Sequence, residues 1–190
     1  MTKLIAFTGF KQSGKDTCAK YLINNHNFIQ YSFALPLKEG VKAFFGWDDT
    51  QVNDPVKKEE IDPFYGVSPR YILQIFGTEI MRNYVPSLSP EFKDKMGNNF
   101  WVNRFKQFYA KNPDKYIVVS DLRYQNELDA VKSLGGVVVR VKRDSVIPSG
   151  PVHASENIDS LQGIVYLLDN NVDIFTLEEG LQTILSDLKS

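Results

Sequence analysis

The chain has 190 residues, 43% of them hydrophobic, with a net charge of −1, one cysteine and two histidines. That is enough apolar material for one domain with a single core, 1–190, and the absence of a basic block argues against a nucleic-acid polymer as partner. Cys18 alone excludes an internal disulfide, the two distant histidines make a zinc site unexpected, and the first apolar run is too short for a signal peptide or a membrane span, so composition predicts an intracellular, cytoplasmic enzyme.

Leu4-Ile5-Ala6-Phe7 predicts the first strand, and Ala19, Leu22 and Ile23 have the spacing of a helix. Between them lies Gly9-Phe10-Lys11-Gln12-Ser13-Gly14-Lys15-Asp16-Thr17, a Gly-bounded loop ending in Gly-Lys. Strand, loop and helix in this order predict a phosphate-binding loop. Two glycines let backbone N–H groups converge on phosphate oxygens, the new helix adds its positive end, and Lys15 reaches the terminal phosphates. The bland alternative is a Gly-rich turn that happens to carry a lysine. Asp16 stands where a Ser or Thr hydroxyl normally ligates magnesium. It suits an ion held through water, and Thr17 follows one place later.

Phe28–Phe33 predicts a second strand, and Pro36 suits the first turn of a helix running through Val41, Phe44 and Phe45 to Gly46. Residues 47–67 are polar and broken, and they predict a loop-rich, variable excursion. Ser68-Pro69 is a helix start, with Ile72, Phe76 and Ile80 on one stripe and Arg70, Gln74 and Thr78 on another. Pro86, Ser87, Ser89 and Pro90 predict a loop. A helix over about Asn98–Lys111 follows, with Trp101, Phe105 and Phe108 as its apolar face.

Lys115–Asp121 is a continuous apolar run ending in an acid, the pattern of a buried parallel strand. Leu122–Leu134 predicts a helix closed by Gly135-Gly136, Val137–Val141 a strand, 144–160 a lid-like loop, and Ile164–Leu168 the last strand. Thr176 with Glu179 predicts a capping box for a terminal helix whose Leu181, Ile184, Leu185 and Leu188 face inward. The alternation predicts an α/β fold: a five-stranded parallel sheet with helices on both faces and a small lid. Ligands of such sheets bind beyond the carboxyl ends of the strands.

Asp121 stands at such an end. It reads either as the second acid of a phosphate-loop enzyme, holding magnesium through water or accepting a proton, or as the cap of the next helix. Arg123 at a helix start opposes the macrodipole, and Glu127 four residues on is in the weaker order for a simple ion pair. A phosphate clamp by Arg123, oriented by Glu127, explains both features better. Lys38 and Arg70 sit near helix starts and read equally as solvated charges. Trp101 fits the core and could also stack on a base. Arg143, between a strand and the Pro/Gly loop, is placed to close over ATP. His153, Ser155 and Glu156 lie in that loop and could order it.

Gly9–Thr17, Leu35-Pro36-Leu37-Lys38-Glu39, Leu73–Glu79 (Leu-Gln-Ile-Phe-Gly-Thr-Glu), Ser120-Asp121-Leu122-Arg123 with Glu127, and His153-Ala154-Ser155-Glu156 together resemble the bacteriophage deoxynucleoside monophosphate kinases. The resemblance spans most of the chain. Animal phosphomevalonate kinases are similar at the Gly-Lys-Asp, Pro-Leu-Lys-Glu and Asp-x-Arg segments, whereas the Leu-Gln-x-x-Gly-Thr-Glu segment favours the phage enzymes. The resemblance implies a P-loop NTPase fold and transfer of the γ-phosphoryl of ATP to the 5′-phosphate of a deoxynucleotide, with Mg2+. Lys15, Asp121 and Arg123 would be catalytic. Ser13, Gly14, Lys15, Asp16, Thr17 and Arg143 would hold ATP, and Asp16 and Asp121 the metal. Lys38, Arg70, Gly77, Thr78, Trp101, Asp121, Arg123 and Glu127 would surround the acceptor. The partners are then small molecules, with no polymer and no membrane. A homodimer is compatible with this reading, and the host cytoplasm would be the location if the gene is a phage's. A kinase of another phosphorylated metabolite, such as phosphomevalonate, and an ATP-dependent switch without a second substrate are the alternatives.

Overall fold

A computed structural model describes residues 2–146 and 158–188. The chain divides into two compact units, Met1–Ser32 with Phe105–Ser190, and Phe33–Arg104.

The first unit is built on five parallel strands: β1 (Leu4–Thr8), β2 (Phe28–Tyr31), β3 (Tyr116–Val119), β4 (Val137–Lys142) and β5 (Tyr166–Asp169), in the order β2-β3-β1-β4-β5. β1 is central and every one of its residues is buried, which is why it reads as an unbroken apolar run rather than an alternating one. On one face Ile5, Phe7, Val118, Val139 and Val141 pack with α1 (Lys15–His26) and α8 (Ile174–Asp187) through Cys18, Ala19, Leu22, Leu177, Leu181, Ile184 and Leu185. On the other face Leu4 lies against α7 (Gln125–Ser133). A Cβ on Gly136 would meet both Leu4 Cγ at 2.6 Å and Val131 Cγ1 at 2.8 Å, so the glycine is what lets the chain turn this close. Parallel strands joined through helices on both faces are the architecture expected from the alternation.

Several boundaries differ from expectation, each for a local reason. α7 begins at Gln125, not Leu122, because the Glu127 carboxylate ties up the N–H groups of Arg123 and Tyr124 ahead of it. α8 begins at Ile174. Its cap is Asp173, which accepts the Thr176 N–H at 2.8 Å and the Thr176 hydroxyl at 2.9 Å, so Thr176 serves inside the first turn and the expected Thr176–Glu179 box is not the cap. Of the loop expected over 144–160, residues 147–157, with His153, Ser155 and Glu156, lie outside the described residues. Downstream, Ile158 is buried and Arg140 pairs with Asp159.

The second unit holds α2 (Ala34–Phe45), α3 (Asp49–Asn53), α4 (Pro69–Gln74), α5 (Pro90–Met96) and the start of α6 (Phe100–Ala110). Its core is Val41, Trp47, Val52 and Ile72, backed by Leu37, Phe45 and Phe76. Residues 47–67 are less broken than their composition suggests. Asp48 and Gln51 form a reciprocal capping box that starts α3, and Trp47 donates to Asp62 at 2.8 Å, closing the excursion on itself.

Ser68 caps α4 as expected, accepting the Tyr71 N–H at 3.2 Å with Pro69 following. After Gln74 the helix widens into a π-helical segment, Ile75–Tyr84. Of the expected Ile72/Phe76/Ile80 stripe, Ile72 and Phe76 share the core and Ile80 is half-buried. Ile72 stays buried, and the buried residues of the wide segment are Thr78 and Arg82. No helix among the described residues is long and apolar enough to cross a membrane.

Candidate active site

The loop from Gly9 to Gly14 leaves the carboxyl end of β1, where ligands of open α/β sheets bind. Its shape requires left-handed backbone at three positions: Gly9 (φ 146°), Gln12 (φ 64°) and Gly14 (φ 110°). At Gly9 a Cβ would lie 2.4 Å from the Val141 carbonyl oxygen, so the loop runs flush against β4. The loop delivers the chain into α1 with Gly14 at the cap position and no side-chain cap bond. By contrast α3, α4, α5 and α8 all carry an Asp or Ser whose side chain accepts an amide of the first turn. The positive end of α1 is thus left without a side-chain acceptor, the arrangement that receives an anion.

Lys15 is the first residue of α1 and is 92% buried by area, at 8% exposure. Its Nζ donates to the Gly9 carbonyl at 2.8 Å, the Phe10 carbonyl at 2.6 Å and Ser13 Oγ at 3.5 Å. Burial and then the Arg123 guanidinium lower its pKa, Asp16 and Asp121 pull the other way, and the net value is about 8. Four charged side chains from the loop and from the β3–α7 connection therefore share one electrostatic neighbourhood. An extra pair of negative charges would relieve the Lys15–Arg123 repulsion.

Asp121 follows β3 and accepts a hydrogen bond from Ser32 Oγ, which follows β2, at 2.7 Å on Oδ2. Next to this pair, Gln30 Nε2 donates to Ser120 Oγ at 2.7 Å. Arg123 is half-buried, and Glu127, 2% exposed, accepts its main-chain N–H at 2.9 Å and that of Tyr124 at 3.2 Å. Glu127 thereby fixes the turn that carries Arg123. Asp16 is exposed, Thr17 half-buried, and Arg143 exposed one residue beyond β4.

In the second unit Lys38 Nζ donates to Asn53 Oδ1 at 2.8 Å, a neutral partner that leaves its charge uncancelled by that bond. Arg70 is half-buried in the first turn of α4. Gly77 and Thr78 lie in the π-helical segment, and the Trp101 indole N–H donates to the Gly77 carbonyl at 2.9 Å. Trp101 is buried, as an aromatic on an apolar stripe should be, and this bond also ties it to the widened turn.

Sequence reasoning did not pick out Ser32, Asn170 or Arg82. Ser32 and Asn170 each follow a strand end, which was the available signal. Asn170 Nδ2 donates to the Ser13 carbonyl at 2.8 Å. Arg82, 6% exposed, is a buried cation within the π-helical segment.

Residues 3–67 match the family model described as deoxynucleotide monophosphate kinase. A candidate deoxynucleotide monophosphate kinase of Acanthamoeba polyphaga mimivirus is 36% identical over 190 residues, spanning 96% of this chain and 94% of that protein. The deoxynucleotide monophosphate kinase of Enterobacteria phage T4 is 25% identical over 196 residues, spanning 74% of this chain and 81% of that protein. Among solved structures, a candidate kinase from Chloroflexus aurantiacus superposes with a TM-score of 0.52 at 13% identity, covering 99% of this chain and 96% of that one, a likeness of fold alone.

Proposed function

The chain belongs to the deoxynucleotide monophosphate kinase family, and from that membership we propose that it transfers the γ-phosphoryl group of ATP to the 5′-phosphate of a deoxynucleoside monophosphate, giving the diphosphate and ADP. The observation that carries this reading is the pairing of two cations, Lys15 and Arg123, beside an α-helix start that has no side-chain cap.

A phosphate oxygen of the acceptor attacks the γ-phosphorus while the bond to the β,γ-bridging oxygen breaks. Both partners are polyanions, so their repulsion is the main obstacle and there is little covalent chemistry for side chains to perform. Residues 13–17 hold the triphosphate through loop amides and Lys15, whose three loop contacts must be exchanged for phosphate oxygens. Arg123 offsets charge on the transferring group with a planar fork suited to two oxygens at once, and Glu127 keeps its turn in place. Arg143 is assigned to ATP. Lys38, Arg70, Gly77, Thr78 and Trp101, together with Asp121, Arg123 and Glu127, are assigned to the acceptor.

Asp16 and Asp121 are the residues that would hold magnesium. Among the described residues no group of three or more His, Cys, Asp or Glu is gathered for a metal. Two carboxylates suit an ion that keeps its waters and phosphate oxygens better than one caged by protein. When bound, magnesium would neutralise β- and γ-phosphate charge. Ser32 holds one oxygen of Asp121 and so sets the direction of the other.

The test is a panel of the four deoxynucleoside monophosphates, their ribose counterparts and phosphomevalonate, each incubated with ATP and magnesium. Diphosphate formed from at least one deoxynucleotide is the expected result. Transfer only to phosphomevalonate, or ATP hydrolysis with no transfer, would overturn the assignment.

A further inference from the structure

The residue after the last strand is bonded to the phosphate loop. Asn170 Nδ2 donates to the Ser13 carbonyl at 2.8 Å. The main-chain N–H of Asn170 donates to the Lys142 carbonyl at 2.8 Å, one step past the final ladder pair Lys142–Asp169, so the side chain is delivered from the rigid edge of the sheet. The fit is close: a Cβ on Gly14 would stand 2.5 Å from Asn170 Nδ2 and 3.6 Å from Leu177 Cδ2. Gly14 is required by its φ of 110°, and the Asn170 carboxamide packs directly against it.

The consequence is geometric. A trans peptide is planar, and its carbonyl and N–H point in opposite directions. Holding the Ser13 carbonyl on Asn170 therefore fixes the direction of the Gly14 N–H, which leads into the first-turn amides of α1. Because that helix has no side-chain cap, this peptide has no other side-chain bond at the cap position to set its orientation. Asn171 is occupied differently. It accepts the Asp144 N–H at 2.8 Å and donates to Asp169 Oδ2 at 3.0 Å and Asp144 Oδ2 at 3.2 Å, holding the turn after β4 and not the loop.

We propose that Asn170 is a positioning residue for phosphoryl transfer, keeping the Ser13–Gly14 peptide in the orientation in which the loop amides receive the triphosphate. The inference rests on the assignment of residues 13–17 to ATP. It identifies the connection between β5 and α8 as the support of the phosphate loop, a role separate from those of the residues that touch either substrate.

Asn170→Ala, Asn170→Asp and Asn171→Ala would be compared with the wild-type chain in two measurements. One is calorimetric affinity for a non-hydrolysable ATP analogue with magnesium and no acceptor; the other is steady-state kinetics in ATP and in a deoxynucleotide. Asn170→Ala should weaken analogue binding and raise the KM for ATP about tenfold, the size of one lost hydrogen bond, with the acceptor KM changed less than about twofold. Asn170→Asp, equal in size, should be worse than alanine, because it turns an acceptor toward the Ser13 carbonyl and brings negative charge toward the triphosphate. Asn171→Ala should bind the analogue as the wild type does. Wild-type analogue affinity in both Asn170 variants, or an equal loss in Asn171→Ala, overturns the proposal. If the wild-type chain binds the analogue but phosphorylates no deoxynucleotide, the proposed function fails while the affinity comparison still decides the role of Asn170.

Discussion

The Glu127 carboxylate accepts the main-chain N–H of Arg123 at 2.9 Å and is 2% exposed, so the residue four positions along the chain governs where the arginine's backbone lies. Burying a carboxylate is costly unless its oxygens are satisfied, and the second N–H, from Tyr124 at 3.2 Å, contributes to that. Glu127→Ala leaves these two amides without that acceptor in the interior, a loss of about 2–4 kcal/mol. Glu127→Gln keeps an acceptor oxygen and should cost about half as much. Urea titrations followed by far-UV circular dichroism give both values. In each variant, turnover with saturating ATP should fall because the turn carrying Arg123 loosens. Equal stability of the alanine variant and the wild type would remove Glu127 from this role.

The Trp101–Gly77 bond makes a second expectation specific. Trp101→Phe keeps most of the buried ring surface and deletes only the donor to the Gly77 carbonyl. The stability cost should be about 1 kcal/mol. The kinetic effect should fall on the acceptor, with its KM raised severalfold and the KM for ATP unchanged, because Gly77 and Thr78 are assigned to the acceptor. A change confined to ATP would move these residues to the other substrate.

The parts of this molecule that were legible in the sequence are those determined locally. Apolar runs such as Ile117–Val119 announce buried parallel strands because both faces are covered, and Ser68-Pro69 starts a helix through its own side chain and ring. Gly14-Lys15 between strand and helix marks the turn from β1 into α1 by local backbone needs alone. The π-helical segment was not legible. Ile75, Phe76, Ile80, Met81 and Tyr84 satisfy an α-helical spacing as well as the wider one, so periodicity does not separate them. Nor were the supports of the site. Ser32 reaches Asp121 across 89 positions and Asn170 reaches Ser13 across 157, and only the sheet order brings those strand ends together.

Ser32 gives a third expectation, independent of the loop. Its hydroxyl bonds Asp121 Oδ2 at 2.7 Å from the neighbouring strand end. Ser32→Ala leaves Asp121 in place and removes this hydroxyl from its carboxylate. A loss of roughly 1 kcal/mol of positioning, about fivefold in kcat, is the expected scale. The magnesium concentration for half-maximal rate should rise as well, whereas Ser32→Thr, which keeps the hydroxyl, should restore much of both. A rate loss with no change in magnesium dependence would separate Asp121 from the metal.

Lys15 tests the electrostatic account most directly, because the folded chain holds its ammonium at a cost. Its pKa is lowered to about 8 from a reference of 10.5, chiefly by burial and then by Arg123. Between those two values the unfolded chain binds more protons than the folded one, so the stability of the unliganded wild type should rise as pH increases from 8 towards 10.5. Below about pH 8 both states are protonated and the penalty is constant at its full value. Lys15→Met removes the buried charge and should lack this pH-dependent gain, which urea titrations of the two proteins at pH 7.5 and pH 9.5 would reveal as about 1–3 kcal/mol of difference in slope-corrected stability. The same variant should lose transfer by at least about a hundredfold. ATP binding to the wild type should draw protons from solution above pH 8, since a polyanion favours the charged amine, and calorimetry in buffers of different ionisation enthalpy measures that uptake. A methionine variant with unaltered turnover, or wild-type binding without proton uptake at pH 8.5, would place the lysine outside the phosphate site.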